Sequence, residues 1–247
     1  MKIEKGEAGT RVFVKCMKTN NVRKGLILMK KFNKFLCFLL VTMFFMGFAL
    51  NVQQSNIYGS ATTSIEMSVN QPSPWAVEDI EWAIMLGLVP QILQSNYTQP
   101  TTRSEFAALT VTFYEFMYGE ITGRSTFSDT NDINVQKAAY IGVVTGVGNN
   151  MFSPNGQLTR EQAAVMLSRL ADAIGFPLSA QSATFSDNTA ISSWAIDGVG
   201  EVQAAGIMGG VGNNMFAPQG SYTREQSIVT IVRLLDIVFE HIFIDYE

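Results

Sequence analysis

The chain has 247 residues and a formal net charge of −4, but the charge is unevenly divided. Residues 1–61 carry ten Lys/Arg against Glu4 and Glu7, a net of +8, whereas residues 62–247 carry seven against nineteen Asp/Glu, a net of −12. So acidic a segment argues against nucleic acid, which needs a basic footprint, and against electrostatic adhesion to an anionic membrane.

Residues 1–61 read as an export leader. "MKKFNK" from Met29 is a basic n-region, Phe35–Leu50 is a sixteen-residue apolar run, and "GSA" at 59–61 supplies small residues for cleavage. A run of sixteen is shorter than the roughly 20 residues of a spanning helix, although a retained N-terminal anchor is the competing reading. The 28 residues before Met29 make a long n-region, so Met29 is the expected start. Cys37 opens the apolar run instead of closing it, which argues against a lipoprotein cleavage site. Cys16 and Cys37 both fall in the leader, so the expected mature part has no disulfide, Cys-ligated metal or thiol nucleophile.

Residues 62–74 form a Ser/Thr/Gln/Pro-rich lead-in, after which the sequence repeats. "GVGNNMFSPNGQLTREQ" (Gly146–Gln162) returns 64 residues later as "GVGNNMFAPQGSYTREQ" (Gly210–Gln226), and "FSD" precedes each, at Phe127–Asp129 and Phe185–Asp187. A fainter copy lies upstream: "SPWAVEDIEWAIMLGLV" from Ser73 matches "SSWAIDGVGEVQAAGIM" from Ser192, and "NYTQPTTRSEF" replaces the loop and motif. The expected units are 75–122, 123–180 and 181–247. Each reads as helix, Gly/Asn/Pro-rich loop, helix. Val199, Val202 and Ala205 follow Trp194 at helical spacing with Gly206 as a stop; Ala163, Leu167, Leu170 and Ile174, then Ile228, Ile231, Leu235 and Val238, form further apolar stripes. Two such helices cannot bury an apolar face alone, so the three units are expected to pack on one another as an all-α assembly.

Each second helix opens on a capping box, pairing Thr102 with Glu105, Thr159 with Gln162 and Thr223 with Gln226. The box leaves the intervening arginines unexplained. Arg103, Arg160 and Arg224 fall at the first helical position, where the macrodipole disfavours a cation by a few tenths to about 1 kcal/mol. Two roles remain open. One is a solvated cation, compensated in two units by Glu161 and Glu225. The other is an anion site in which free N–H groups, the dipole and the guanidinium fork converge on a carboxylate or phosphate.

These motifs resemble the S-layer homology domain, whose units end in a TRxE-type motif after a G-x-x-G-x-G/N-x-x-F-x-P loop. The resemblance spans about residues 70–240 and implies three tandem units packed as a pseudo-trimeric helical bundle with grooves between units. It also implies non-covalent anchoring to an acidic, pyruvate-bearing secondary cell-wall polysaccharide, hence a secreted protein at the wall of a bacterium of Gram-positive type. Carried over by motif position, Arg103, Arg160 and Arg224 become carboxylate partners. Asp129, Asp187, Trp75 and Trp194 would line the grooves, and Gly146 and Gly210 would admit the sugar to the backbone.

Plainer roles stay open for several of these residues: core packing for Trp75 and Trp194, turn capping for Asp129 and Asp187. The departures from the family pattern are also specific. The second unit is six residues shorter than the third between F-x-D and its helix-ending glycine and has no Trp; the first has no F-x-D and a loop without the glycines. The third unit alone keeps every element, so a groove built around it is the expected site. An enzyme is not expected: Glu78/Asp79 and Asp129/Asp132 show no recurring catalytic spacing, and His241 lies outside the repeats. The Asp129–Asn131–Ile133 run lacks the central Gly and closing Glu of a calcium loop, and no cofactor is implied. The alternative to a glycan anchor is a helical surface-layer scaffold that self-associates or binds another protein.

Overall fold

The structure, a computed structural model, describes residues 71–244, with side chains through His241. The expected leader and most of the lead-in lie outside the described residues. Among the described residues six α-helices follow one another: α1 (Val77–Met85), α2 (Arg103–Tyr118), α3 (Ile133–Tyr140), α4 (Arg160–Ala173), α5 (Ile196–Ala204) and α6 (Arg224–Ile244). Short 3-10 turns at Gln91–Leu93 and Asn188–Ala190 join them, and isolated antiparallel bridges replace any sheet among the described residues. The fold is all-α, as the periodicity predicts.

The six helices form three pairs of a short and a long helix. Each short helix ends at a glycine in the left-handed region, Gly87 at φ 73°, Gly142 at φ 83° and Gly206 at φ 72°. A side chain there would strain the turn, which explains why a glycine stops all three. The capping boxes start the long helices as expected. Thr102 and Thr159 accept from the backbone N–H of Glu105 and Gln162, whose side chains reach back to the threonine amides. Thr223 and Gln226 make the same two bonds.

The predicted apolar stripes are the core. Ala163, Leu167, Leu170 and Ile174 are buried, as are Ile228, Ile231, Leu235 and Val238. On α2, Phe106, Leu109, Val111, Phe113 and Met117 do the same work, with the Phe106 and Tyr222 rings in a T-shaped contact, centroids 6.0 Å apart. The stripe assigned to α5 is buried at Val199 and Val202, but Trp194 lies before the helix and is 56% exposed.

Packing is exchanged between pairs. The long α2 lies on α3, the short helix of the second pair, α4 lies on α5, and α6 returns to α1. The long helices also touch one another, α6 against both α2 and α4. At the centre, the residues preceding the three capping threonines bond main chain to main chain in a closed triangle. The Leu158 amide donates to the Thr101 carbonyl at 2.9 Å, Tyr222 to Leu158 at 3.3 Å, and Thr101 to Tyr222 at 2.8 Å. Three bridges surround it, Thr102 with Gln157, Thr159 with Ser221 and Pro100 with Thr223.

Buried polar groups at this centre are paired. The hydroxyls of Thr101 and Ser227 meet at 2.8 Å, both fully buried. The Tyr222 hydroxyl meets that of Thr230 at 2.5 Å, and burial pushes the phenol far above its ordinary pKa, so it stays protonated.

A closed ring of this kind should unfold as a unit. Leu167→Ala, in a pair that contains no tryptophan, should cost about 2–5 kcal/mol. The loss should appear in one transition reported by Trp75, Trp82 and Trp194 fluorescence on denaturant titration. Two separated transitions would contradict the ring.

Candidate functional site

The three arginines define three equivalent junctions, each between the start of one long helix and the loop of the next pair. Their amides are not free. At the first junction the amides of Arg103 and Ser104 donate to the carbonyls of Gly156 (2.9 Å) and Pro154 (3.0 Å). At the second, Arg160 and Glu161 donate to Gly220 (3.1 Å) and Pro218 (3.0 Å), and at the third, Arg224 and Glu225 donate to Gln99 (3.0 Å) and Tyr97 (2.9 Å). With the third amide held by the capping threonine, the first-turn donors that the sequence offered to an anion are already committed to the neighbouring loop.

The guanidinium groups make the same crossing. Arg103 donates through Nε to the Phe152 carbonyl (2.8 Å) and through Nη2 to that of Thr145 (2.9 Å), with its charge 4.6 Å from the centre of the Phe152 ring. Arg160 repeats this on Phe216 (2.8 Å) and Gly209 (2.7 Å), 4.9 Å from the Phe216 ring. Glycine suits the loop beside each arginine stem: a Cβ on Gly156 would come within 2.9 Å of the Ser153 hydroxyl, and one on Gly220 within 2.9 Å of the Ala217 carbonyl. Burial lowers the pKa of both arginines, opposed at Arg160 by Tyr222 and Asp187 and at Arg103 by Asp129, and both stay cationic. Among the described residues Nη1 of either group makes no hydrogen bond. Each cation is therefore oriented through two nitrogens with a third left over.

Arg224 differs. Its Nη1 donates to the Ser95 carbonyl at 2.9 Å, its Nη2 pairs with the Glu105 carboxylate at 2.5 Å, and its buried Nε has no partner. Counted back from the carbonyls that accept the helix amides, Ser95 holds the place of Phe152 and Phe216, and its carbonyl takes Nη1 where theirs take Nε.

Asp129 and Asp187 act as loop clamps instead of capping the turns that follow them. Asp129 accepts from the amides of Phe152 (2.8 Å) and Ser153 (2.7 Å), and Asp187 from Phe216 and Ala217, both at 2.8 Å. Ser153 and Ala217 sit at φ 60° and 54°, a left-handed conformation costing a non-glycine residue roughly 1–2 kcal/mol, and the aspartates hold them there. The repeated Asn pair has a local cause too. Asn149/Asn150 and Asn213/Asn214 all have positive φ, as the centre of a type I′ turn requires. Gly146 and Gly210 serve the same loop, because a Cβ on either would come within 2.7 Å of the Met151 or Met215 carbonyl.

The tryptophans stand in solvent, Trp75 54% and Trp194 56% exposed. What fixes them is a contact the motif reading missed. The Ser192 amide and hydroxyl both donate to Glu161, at 2.9 and 2.8 Å, and Ser73 does the same to Glu225, at 2.9 Å each. Each clasp binds the segment carrying a tryptophan to the residue after an arginine. The segment of Trp194 is thereby tied to the residue after Arg160, and that of Trp75 to the residue after Arg224, so each clasped arginine and tryptophan come from different pairs. At the first junction Ser104 replaces the clasping glutamate, and the second pair lacks the serine and the tryptophan. Both halves of the clasp are missing together. The repeated S-x-W was the available signal.

The calcium-loop candidate spends its carboxylates on main chain: Asp129 as above, Asp132 on the amides of Asn134 and Val135 at the start of α3. Among the described residues no cluster of three or more metal-ligating side chains occurs, and no helix is long and apolar enough to cross a membrane.

Residues 127–164 and 184–226 match the S-layer homology domain. Over 171 residues, 66% of this chain, the sequence is 30% identical to amylopullulanase of Thermoanaerobacterium thermosulfurigenes and to exoglucanase XynX of Acetivibrio thermocellus, covering 9% and 16% of those proteins. It is 36% identical over 109 residues, 43% of the chain, to an endoglucanase of Bacillus sp. (strain KSM-635), covering 12% of it. The chain thus spans less than a fifth of each relative's length.

The clamps make a pH prediction. The amides of Phe152 and Ser153 hold the Asp129 carboxyl below the usual range, and at Asp187 those of Phe216 and Ala217 do so against desolvation. A depressed folded-state pKa stabilises above the unfolded value of about 3.9 and is lost as pH falls through the folded value. Thermal midpoints of the wild type should therefore drop on acidification below about pH 4, and those of the Asp129→Asn/Asp187→Asn double variant should drop less. Parallel profiles would show that the clamps carry no such linkage.

Proposed function

We propose that this chain is a non-covalent cell-wall anchoring module, exported to the cell surface, whose ligand is an acidic secondary cell-wall polysaccharide bearing a pyruvate carboxylate. The observation that carries this reading is the second junction. Arg160 is 5% exposed and oriented by two carbonyls, with Nη1 left over, and the Glu161–Ser192 clasp ties the segment of the exposed Trp194 to the residue that follows it. A guanidinium is suited to a carboxylate, and an exposed indole offers a flat apolar face to a sugar ring. In this reading Asp187 and Gly210 shape the loop that aims the cation, and Asp129 with Gly146 do so for Arg103. The first pair is a divergent third copy of the repeat.

The relatives support a binding module over an enzyme. They are named as polysaccharide-degrading enzymes, yet the shared stretch is a small share of each, as expected of an accessory segment. The wall of a Gram-positive type of bacterium is the location this implies. A second reading, a helical surface-layer scaffold binding copies of itself or another protein, is favoured by the exposed apolar loop residues Val147 (59%) and Val211 (55%).

Co-sedimentation of the full chain with purified sacculi tests the proposal. Pelleting should be lost once acid extraction removes the non-peptidoglycan polymers. Trp194→Ala should weaken it about tenfold or more, the scale of losing one anchor residue, with helicity unchanged because the ring is exposed. Binding that survives both extraction and substitution would refute the glycan reading.

A further inference from the structure

The three junctions differ in two independent features. At the second and third, a tryptophan-bearing segment is clasped to the residue after the arginine, through Ser192 on Glu161 and Ser73 on Glu225. The first has neither clasp nor tryptophan. Ion pairing divides them differently: Arg103 and Arg160 contact only carbonyl oxygens and a ring among the described residues, whereas Arg224 carries a carboxylate of the chain itself, Glu105 at 2.5 Å. Both partners of that pair are nearly buried, with side chains 12% and 10% exposed. A buried, hydrogen-bonded pair resists exchange, because a ligand carboxylate that displaced Glu105 would leave it desolvated and unpaired. Among the described residues, only the second junction combines a clasped tryptophan segment with an arginine that is hydrogen-bonded to no carboxylate.

We infer that the chain takes one acidic ligand, at the second junction, and that Glu105 closes the third by occupying Arg224 in the ligand's place. Glu105 is a specificity-determining residue from outside the third pair. It sits at the third position of α2, where one oxygen accepts from the Thr102 amide at 2.9 Å and the other crosses to Arg224. The equivalent positions of α4 and α6 carry Gln162 and Gln226, whose side-chain oxygens complete the same capping box, from the Thr159 and Thr223 amides, without a charge. The carboxylate is therefore not needed to start the helix, and its charge serves the crossing alone.

This inference rests on the glycan reading, and one experiment separates the two. The probe is a methyl hexopyranoside carrying a cyclic pyruvate ketal with a free carboxylate, titrated calorimetrically into the full chain. The wild type should bind one equivalent. Glu105→Gln, which keeps the capping box, should bind two, and adding Trp75→Ala should return it to one. A merely structural role for Glu105 would change the thermal midpoint without changing the number of sites. Two sites in the wild type, or one in a folded Glu105→Gln protein, would overturn the inference and leave the glycan reading standing. No binding by either protein would overturn the glycan reading itself.

Discussion

Everything else in this fold hangs on three main-chain hydrogen bonds that close on themselves. Thr101, Leu158 and Tyr222 each donate to one of the others and accept from the remaining one. Closure sets the register of all three long helices at once, because each residue immediately precedes a capping threonine. It also removes the problem of the helix starts. Four donors per N-terminus would otherwise need water or an anion, and here the neighbouring loop supplies two acceptors and the capping threonine a third. The three pairs are thereby obliged to assemble together.

The arginines follow from the same closure. A cation at the first position of a helix is disfavoured in isolation, but this cation does not lie over its own helix. It reaches across to carbonyls of the next loop and to a phenylalanine face, contacts that turn the guanidinium into a cross-brace between pairs. Bracing and binding are compatible on one side chain, since a fork with five donors can spend two nitrogens on carbonyls and keep another for a ligand. The loops that receive Arg103 and Arg160 are themselves held in left-handed conformations by Asp129 and Asp187, so the aim of these two arginines depends on a carboxylate neither is hydrogen-bonded to. Glu161 does the corresponding job for Trp194, accepting from Ser192 and from Gln219 at 2.6 Å.

Sequence divergence among the repeats becomes intelligible once the partners are known. Ser104 in "TRSE" looks like an isolated departure from "TREQ", and the six residues missing from the second unit look like another. They are two sides of one lost contact, because Glu161 and Glu225 each hold a serine that only the first and third pairs possess. Glu105 against Gln162 and Gln226 looks conservative along the chain, yet only Glu105 meets an arginine from 119 residues away.

Helix types, their starts and stops, the buried stripes and the repeat were all legible from the chain alone. Local hydrogen bonding and the 3.6-residue period dictate them, and both act over a few residues. Which arginine stands beside which tryptophan was not legible. The linear motifs grouped Arg224 with Trp194 in one unit, whereas the clasps tie the segment of Trp194 to the residue after Arg160 and that of Trp75 to the residue after Arg224. The exposure of the tryptophans, the occupied helix amides and the pairing of Arg224 with Glu105 were equally hidden. Each depends on the exchange of helices between pairs, and that exchange arises because a long helix buries its apolar stripe on a neighbouring short helix, a choice made by packing in three dimensions and left unwritten in any one repeat.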